Sequence, residues 1–222
     1  MTEVHRRHIV LLCLWVGYGG WVVMPFLAPI SMHLGQTELA GLIYKIYSFF
    51  CHQLPQRSFF LFGVKPMYNL VEIQTAWRPT MDPLVLRQFI GNPVMGWKVA
   101  WSDRMVSFYT SIWVSTILRW FWWPGSYKNS KRTALLFLLP MAVDGFSHLI
   151  SDLSGIGQGF RANNAWLVAL TGNALPSWFY AGDTLGSFNF WMRLLTGLLA
   201  GWGIAGLVVY YCREYPGSLT EP

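Results

Sequence analysis

The chain has 222 residues, 54% of them hydrophobic and only 12% charged, about half the charged share of an ordinary soluble domain. That balance argues against a water-soluble enzyme and for a chain that lives in lipid. The formal net charge of +6 does not indicate nucleic acid: the basic residues are scattered along the flanks of apolar runs and gather on no single face. Anionic headgroups account for them, and the 13 Trp and 10 Tyr suit a protein with much surface at headgroup depth.

Taken in order, "HRRH" precedes the first apolar run, residues 9–32, which is long enough to cross a hydrocarbon layer of about 30 Å. It is too long for a signal core and reads as an uncleaved anchor. A polar connection, about residues 35–98, follows. Within it Leu39 to Phe50 has helical spacing, with Leu42, Ile46, Phe49 and Phe50 on one side and Lys45, Ser48 and His52 on the other. This helix is too short to span and is expected to lie along the outer surface, ended by "CHQLP", because proline disfavours helix in the residue before it.

The second span is expected over residues 99–123, with Asp103 and Arg104 near its start and "RWFWW" at its end. After a short basic link containing Lys128, Lys131 and Arg132, the third covers residues 133–156 and carries Asp144, His148 and Asp152 at steps of four on one helix face. Residues 157–187 form the second outer connection. Its apolar part, 165–181, is interrupted by Gly172, Asn173 and Pro176 and reads as a re-entrant or interfacial piece, with a fifth span as the alternative. The fourth span, residues 188–211, holds Arg193 and the pair Gly197 and Gly201, whose spacing permits close helix packing.

The expected fold is therefore all-α: a single polytopic membrane domain of four transmembrane helices, plus an interfacial helix and an aromatic-rich outer loop. Arg6, Arg7, the Lys128 to Arg132 link and Arg213 would lie on one side. By the positive-inside rule that side is cytoplasmic, with both termini inside the inner (plasma) membrane.

An ionisable residue within a span must face a partner or water. Alternating spans gather Asp103, Arg104, Asp144, His148 and Arg193 in the outer half of the bundle, beneath the helix carrying Cys51, His52 and Gln53. The bland reading is a buried aspartate, Asp144, paired with Arg104 or Arg193. No residue is assigned a catalytic role and no metal is expected, since Cys51 and His52 are adjacent and diverge by about 100° on a helix. His148 as an axial ligand to a tetrapyrrole is the competing idea, so the cofactor is unknown, a bound lipid or pigment being the class left open. Cys13, Cys51 and Cys212 are too few for a disulfide scaffold. There is no Gly-rich phosphate loop, Cys-x-x-Cys or His-Glu-x-x-His motif.

Four blocks, "YSFFCHQLPQRSFFLFG", "GWKVAWSDRMVSFY", "PMAVDGFSHL" and "FWMRLLTGLLAG", resemble in order the marks of domain-of-unknown-function family 2085, small polytopic membrane proteins of bacteria and archaea. The matched positions are Cys51, His52, Gln53, Arg57, Ser58, Arg104, Tyr109, Asp144, Gly145, Arg193, Thr196 and Gly197. Where the resemblance implies Cys before the second block's arginine and Cys or Asp just after it, this chain has Ser102 and Met105, and it has His148 where Gln is common. Loss of those positions, with added outer segments near 65–93 and 157–185, suits a protein recruited for contacts. The expected function is a non-catalytic accessory subunit packed within a larger, energy-transducing membrane complex, its partners being membrane lipids and other integral membrane subunits. The alternative is an enzyme or transporter acting on a lipid, quinone or ion at the outer cluster.

Overall fold

A computed structural model describes the backbone of residues 3–122 and 130–214, with side chains from residue 12 onward save those of 14, 130 and 214. Its elements are α1 (Glu3–His33), α2 (Thr37–Tyr47), β1 (Ser58–Leu61), α3 (Leu70–Ala76), α4 (Pro83–Leu86), β2 (Gly91–Asn92), β3 (Gly96–Ser102), α5 (Asp103–Trp122), α6 (Ser130–Asp152), α7 (Ala165–Thr171), α8 (Ser177–Tyr180) and α9 (Phe188–Glu214).

The all-α, four-span expectation is overturned on two counts. First, the chain contains a three-stranded antiparallel sheet in the order β1-β3-β2. Residues 99–102, expected to begin the second span, are the end of its central strand. The run "VAW" is buried in the part of β3 that pairs with β1, while β2 pairs only with Gly96 and Trp97, and a short continuous apolar run cannot be told from a helix by periodicity. Second, among the described residues two helices are long and apolar enough to cross a membrane, Lys131–Asp152 and Phe188–Arg213. With residues 99–102 in the sheet, α5 begins at Asp103 and Arg104 and carries Arg119 in its last turn, so charge at both ends shortens its apolar stretch. The orientation argument rests on Arg6 and Arg7, described only in their backbone, and on Lys128 and the chain termini, which lie outside the described residues.

The helix expected at an interface is α2, ending at Tyr47, with Leu39, Leu42 and Ile46 exposed and Ala40, Ile43, Tyr44 and Tyr47 buried. Residues 165–181 form the two short helices α7 and α8, bounded by the left-handed residues Asn164 and Gly172. Seven residues of helix rise only about 10 Å, which is too short to cross.

The chain divides into two compact units. The first comprises Met1–Val23, Val106–Ala142 and Leu195–Pro222 and is built by helix packing. The Trp113 indole donates to the Trp15 carbonyl at 3.1 Å, and a Cβ on Gly19 would sit 2.7 Å from that indole ring. Ser111 donates to the Leu198 carbonyl at 2.7 Å. Gly201 packs against the same turn of α5, where a Cβ would meet the Phe108 carbonyl oxygen at 2.5 Å, and Gly197 is buried in α9. Removing the Cβ lets two helix backbones approach.

The second unit, Met24–Met105 and Val143–Leu194, holds the sheet. Ser58 faces Ser102, Phe60 faces Lys98 and Leu61 faces Trp97 across β1 and β3, with a bulge between Ser58 and Phe60. One small core gathers Leu54, Phe60, Tyr68, Ile73, Leu86, Phe89, Met95 and Ile156. Local chemistry fixes its short helices. Asn69 and Glu72 form a reciprocal capping box on α3, and the Asp82 carboxylate accepts from the Leu84 amide at 2.7 Å at the start of α4.

Candidate functional site

The second unit contains every aspartate of the chain, and all but Asp82 are held by arginine. The sequence "CHQLPQR" turns sharply after α2. Cys51 and Gln53 are buried while His52 is exposed, and Gln53 adopts φ 52°, the left-handed region that non-glycine residues seldom occupy. This turn places Arg57 at the end of a short 3-10 helix, Pro55–Arg57. Its guanidinium grips Asp152 at 2.7 and 2.8 Å and Asp183 at 2.9 Å.

Arg193, in the first turns of α9, reaches the same carboxylate from another side. It donates to the Asp183 side chain at 2.6 Å and, through two nitrogens, to Asp103 at 2.7 to 3.0 Å. Asp144 on α6 takes Arg104 at 2.7 Å and Arg161 at 2.6 Å, and Arg161 also lies 3.1 Å from His148 Nε2. The resulting network of Arg57, Arg104, Arg161 and Arg193 against Asp103, Asp144, Asp152 and Asp183 is charge-balanced. Burial would raise the Asp183 carboxyl, but Arg57 and Arg193 outweigh it and hold the group well below the usual range. Conversely, the carboxylates around Arg57 outweigh its burial and raise its pKa.

Beside this network, Cys51 Sγ accepts from the amides of Gln53 and Ser102, each at 3.4 Å, and lies 3.5 Å from Ser102 Oγ. Lys98 is fully buried on β3. Its ammonium donates to the carbonyls of Gln53 at 2.8 Å and Arg87 at 2.6 Å, and burial pulls its pKa down to about 7. Among the described residues no group of three His, Cys, Asp or Glu side chains is placed to hold a metal ion.

Two cavities reach the network. The larger, a cleft of about 360 Å³, is lined by Cys51, His52, Gln53, Arg57, Ser102, Arg104, Met105, Gly145, His148, Asp152 and Arg193, with Phe50, Leu54, Pro83, Leu149, Leu153 and Ile156 as apolar wall. The smaller, about 210 Å³, shares Arg57, Asp152 and Ile156 with it and is lined otherwise by Gln56, Ser151, Arg161, Asp183 and their neighbours.

Of the residues singled out from sequence, Cys51, His52, Gln53, Arg104, His148 and Arg193 line the cleft, while Asp103 and Asp144 lie behind it as the partners of its arginines. Asp144 is paired with Arg104, and Arg193 with Asp103 and Asp183. Sequence reasoning missed Arg161, Asp183 and Lys98 as parts of the site. One signal was available for two of them: Arg161 and Asp183 are the sole charges in residues 157–187, one of each sign in an otherwise uncharged segment.

The chain is 30% identical over 147 residues, 61% of its own length and 68% of the relative's, to an archaeal protein, the uncharacterised protein MJ1492 of Methanocaldococcus jannaschii. No family model matches the chain, and no solved structure matches it.

Proposed function

The chain belongs to the family of the archaeal protein MJ1492, and from that premise we propose that it is a membrane-associated, non-catalytic accessory protein that holds the polar end of an amphipathic molecule in its cleft. The observation that carries this reading is convergence on one cavity. Seven of the twelve positions that bear the resemblance to domain-of-unknown-function family 2085, Cys51, His52, Gln53, Arg57, Arg104, Gly145 and Arg193, line the larger cleft, and so do Ser102, Met105 and His148, where this chain departs from it. Its volume lies in the range of small-molecule sites, about 300–1,000 Å³. Apolar walls and a charged, hydrogen-bonding floor suit a lipid or a quinone, with the ring or headgroup on the floor and the tail along Leu149, Leu153 and Phe50.

Binding rather than turnover follows from the ion pairing. A general acid or base needs a group able to change its protonation near the working pH; each carboxylate of this network is occupied by at least one guanidinium, and Lys98, whose pKa falls to about 7, is committed to two backbone carbonyls and does not line the cleft. The lipid setting is supported by α6, whose residues Leu135, Leu136, Leu139, Val143, Phe146 and Ile150 are all exposed. An apolar face of that length is stable in contact with hydrocarbon. In this reading the protein is inserted in the plasma membrane through Lys131–Asp152 and Phe188–Arg213 and serves a larger assembly there.

The test is extraction and mass measurement of small molecules retained after purification in mild detergent, for the natural chain and for Met105→Trp, which fills the cleft. A stoichiometric amphipathic molecule retained by the former and lost from the latter is expected. Equal retention by both would remove the cleft as its site.

A further inference from the structure

The ion-pair network balances its own charge, but the wall of the larger cleft formed by Cys51, His52 and Gln53 is backed by two cations outside that network. Lys98 is fully buried and sends its ammonium to the carbonyls of Gln53 and Arg87 at 2.8 and 2.6 Å. Arg87 donates to the Ser48 carbonyl at 3.0 Å, just before the same turn. Among the described residues neither has a carboxylate within ion-pairing distance. The two lie near enough that, after burial, Arg87 lowers the Lys98 pKa further.

Charges inside the cleft are arranged in the same sense. Arg57, Arg104 and Arg193 line it against the single carboxylate of Asp152. Asp103 and Asp144, which offset Arg193 and Arg104, stand behind, with side chains no more than 2% exposed. The Arg57 and Arg104 side chains keep 12% and 15% of their surface accessible, so the positive ends of these pairs are the reachable ones. The wall on α6 is Gly145, His148, Leu149 and Asp152, the last two turns of the apolar helix Lys131–Asp152, a rise of about 10 Å. At the rim Phe50, Leu149 and Leu153 are 52%, 54% and 80% exposed.

The geometry points to the anionic headgroup of a membrane lipid as the occupant of the larger cleft. Its phosphate or carboxylate oxygens meet Arg57 and Arg104, Lys98 and Arg87 supply the compensation that a partly buried charge requires, and the acyl chain leaves past Leu149, Leu153 and Phe50. This rests on the reading of the cleft as an amphipathic site and narrows it: a quinone or a zwitterionic headgroup brings no net charge to meet the surplus. With α6 inserted in the membrane, the cleft lies at the end of the span, so the lipid enters sideways from one leaflet.

The experiment uses the full chain in neutral detergent at about pH 6, below the value of about 7 at which Lys98 titrates, with affinities read by native mass spectrometry. The probes are dioctanoyl phosphatidylglycerol, dioctanoyl phosphatidylcholine and, as a chainless control, glycerol 3-phosphate. The anionic lipid is expected to bind at least about tenfold more tightly than the zwitterionic one, the scale of a single partly screened charge pair, and glycerol 3-phosphate is expected not to be retained. Lys98→Met should narrow the ratio of the two lipid affinities to about threefold or less, and Arg87→Gln, at a half-buried position, serves as the second variant should the first not fold. The ratio is the readout because general damage to the cleft weakens both lipids alike. Equal affinity for the two lipids, or a ratio unchanged in both variants, would overturn the anionic headgroup; if that binding is still lost in Met105→Trp, the amphipathic site stands and only the headgroup falls. Lipid binding that survives Met105→Trp would remove the cleft itself. Retention of glycerol 3-phosphate as tightly as the anionic lipid would make the ligand a free phosphate ester and overturn the lipid.

Discussion

Arg57 and Asp152 meet in a two-bond, fork-to-carboxylate pairing at 2.7 and 2.8 Å, and the same guanidinium turns its Nε to Asp183 at 2.9 Å. One side chain from the turn after α2 thereby ties the end of α6 to the loop before α9. Planar two-point recognition is what guanidinium offers and an ammonium does not. Removing one partner of a buried pair typically costs about 3–5 kcal/mol, because the other charge is left uncompensated. Arg57→Ala strands two carboxylates and is expected to lose an amount in that range. Asp152→Asn keeps one acceptor and leaves Arg57 its bond to Asp183, so it should lose clearly less. Chemical unfolding in detergent ranks the two; equal and negligible losses would mean that the pairing contributes nothing.

Lys98 predicts a pH dependence of stability. Burial lowers its ammonium pKa from 10.5 to about 7 in the folded chain, while the unfolded chain protonates it at the ordinary value. Between those limits the unfolded state binds more protons, so stability rises with pH and falls again as the pH drops toward 7. Arg87 is the cationic neighbour that lowers the Lys98 pKa further, after burial. Lys98→Met is expected to flatten the unfolding midpoint across pH 7 to 10, and an unchanged slope in that variant would show that Lys98 is not its source.

The exposed face of α6 predicts a depth-dependent penalty. Leu139 is 58% exposed near the middle of this helix, and an arginine at the centre of a spanning segment costs about 2.5–3.5 kcal/mol on insertion scales. Leu139→Arg should shift the chain from the membrane pellet to the soluble or aggregated fraction on alkaline extraction. Val94→Arg, at an exposed position of the β2 to β3 hairpin, should not. If both variants stay in the pellet alike, α6 does not face lipid.

Cys51 is a hydrogen-bond acceptor for two backbone amides, a role that a hydroxyl can take. Cys51→Ser is expected to hold stability to within about 1 kcal/mol, the scale of one hydrogen bond. A larger loss, measured by the same unfolding assay, would show that the size of the sulfur matters to the packing of the turn.

Two long helices of this molecule were legible without coordinates, both apolar enough to cross a membrane. Scarcity of charge, long apolar runs and the helical stripe of Asp144, His148 and Asp152 depend on residues near in sequence, and α6 and α9 follow from them. The same locality made Asp144 and Arg193 conspicuous as costly residues in apolar surroundings. Tertiary structure decided the remainder. "VAW" became strand rather than helix because β1, Ser58–Leu61, pairs along β3 as far as Ser102, while β2 pairs only with its start at Gly96 and Trp97, and no local pattern reports a distant pairing partner. Which carboxylate meets which arginine is likewise a matter of distances across loops. Arg161 and Asp183 each stand in a loop whose conformation is set by left-handed turns and packing, and that is why Arg193 closes on Asp103 and Asp183 while Asp144 falls to Arg104 and Arg161.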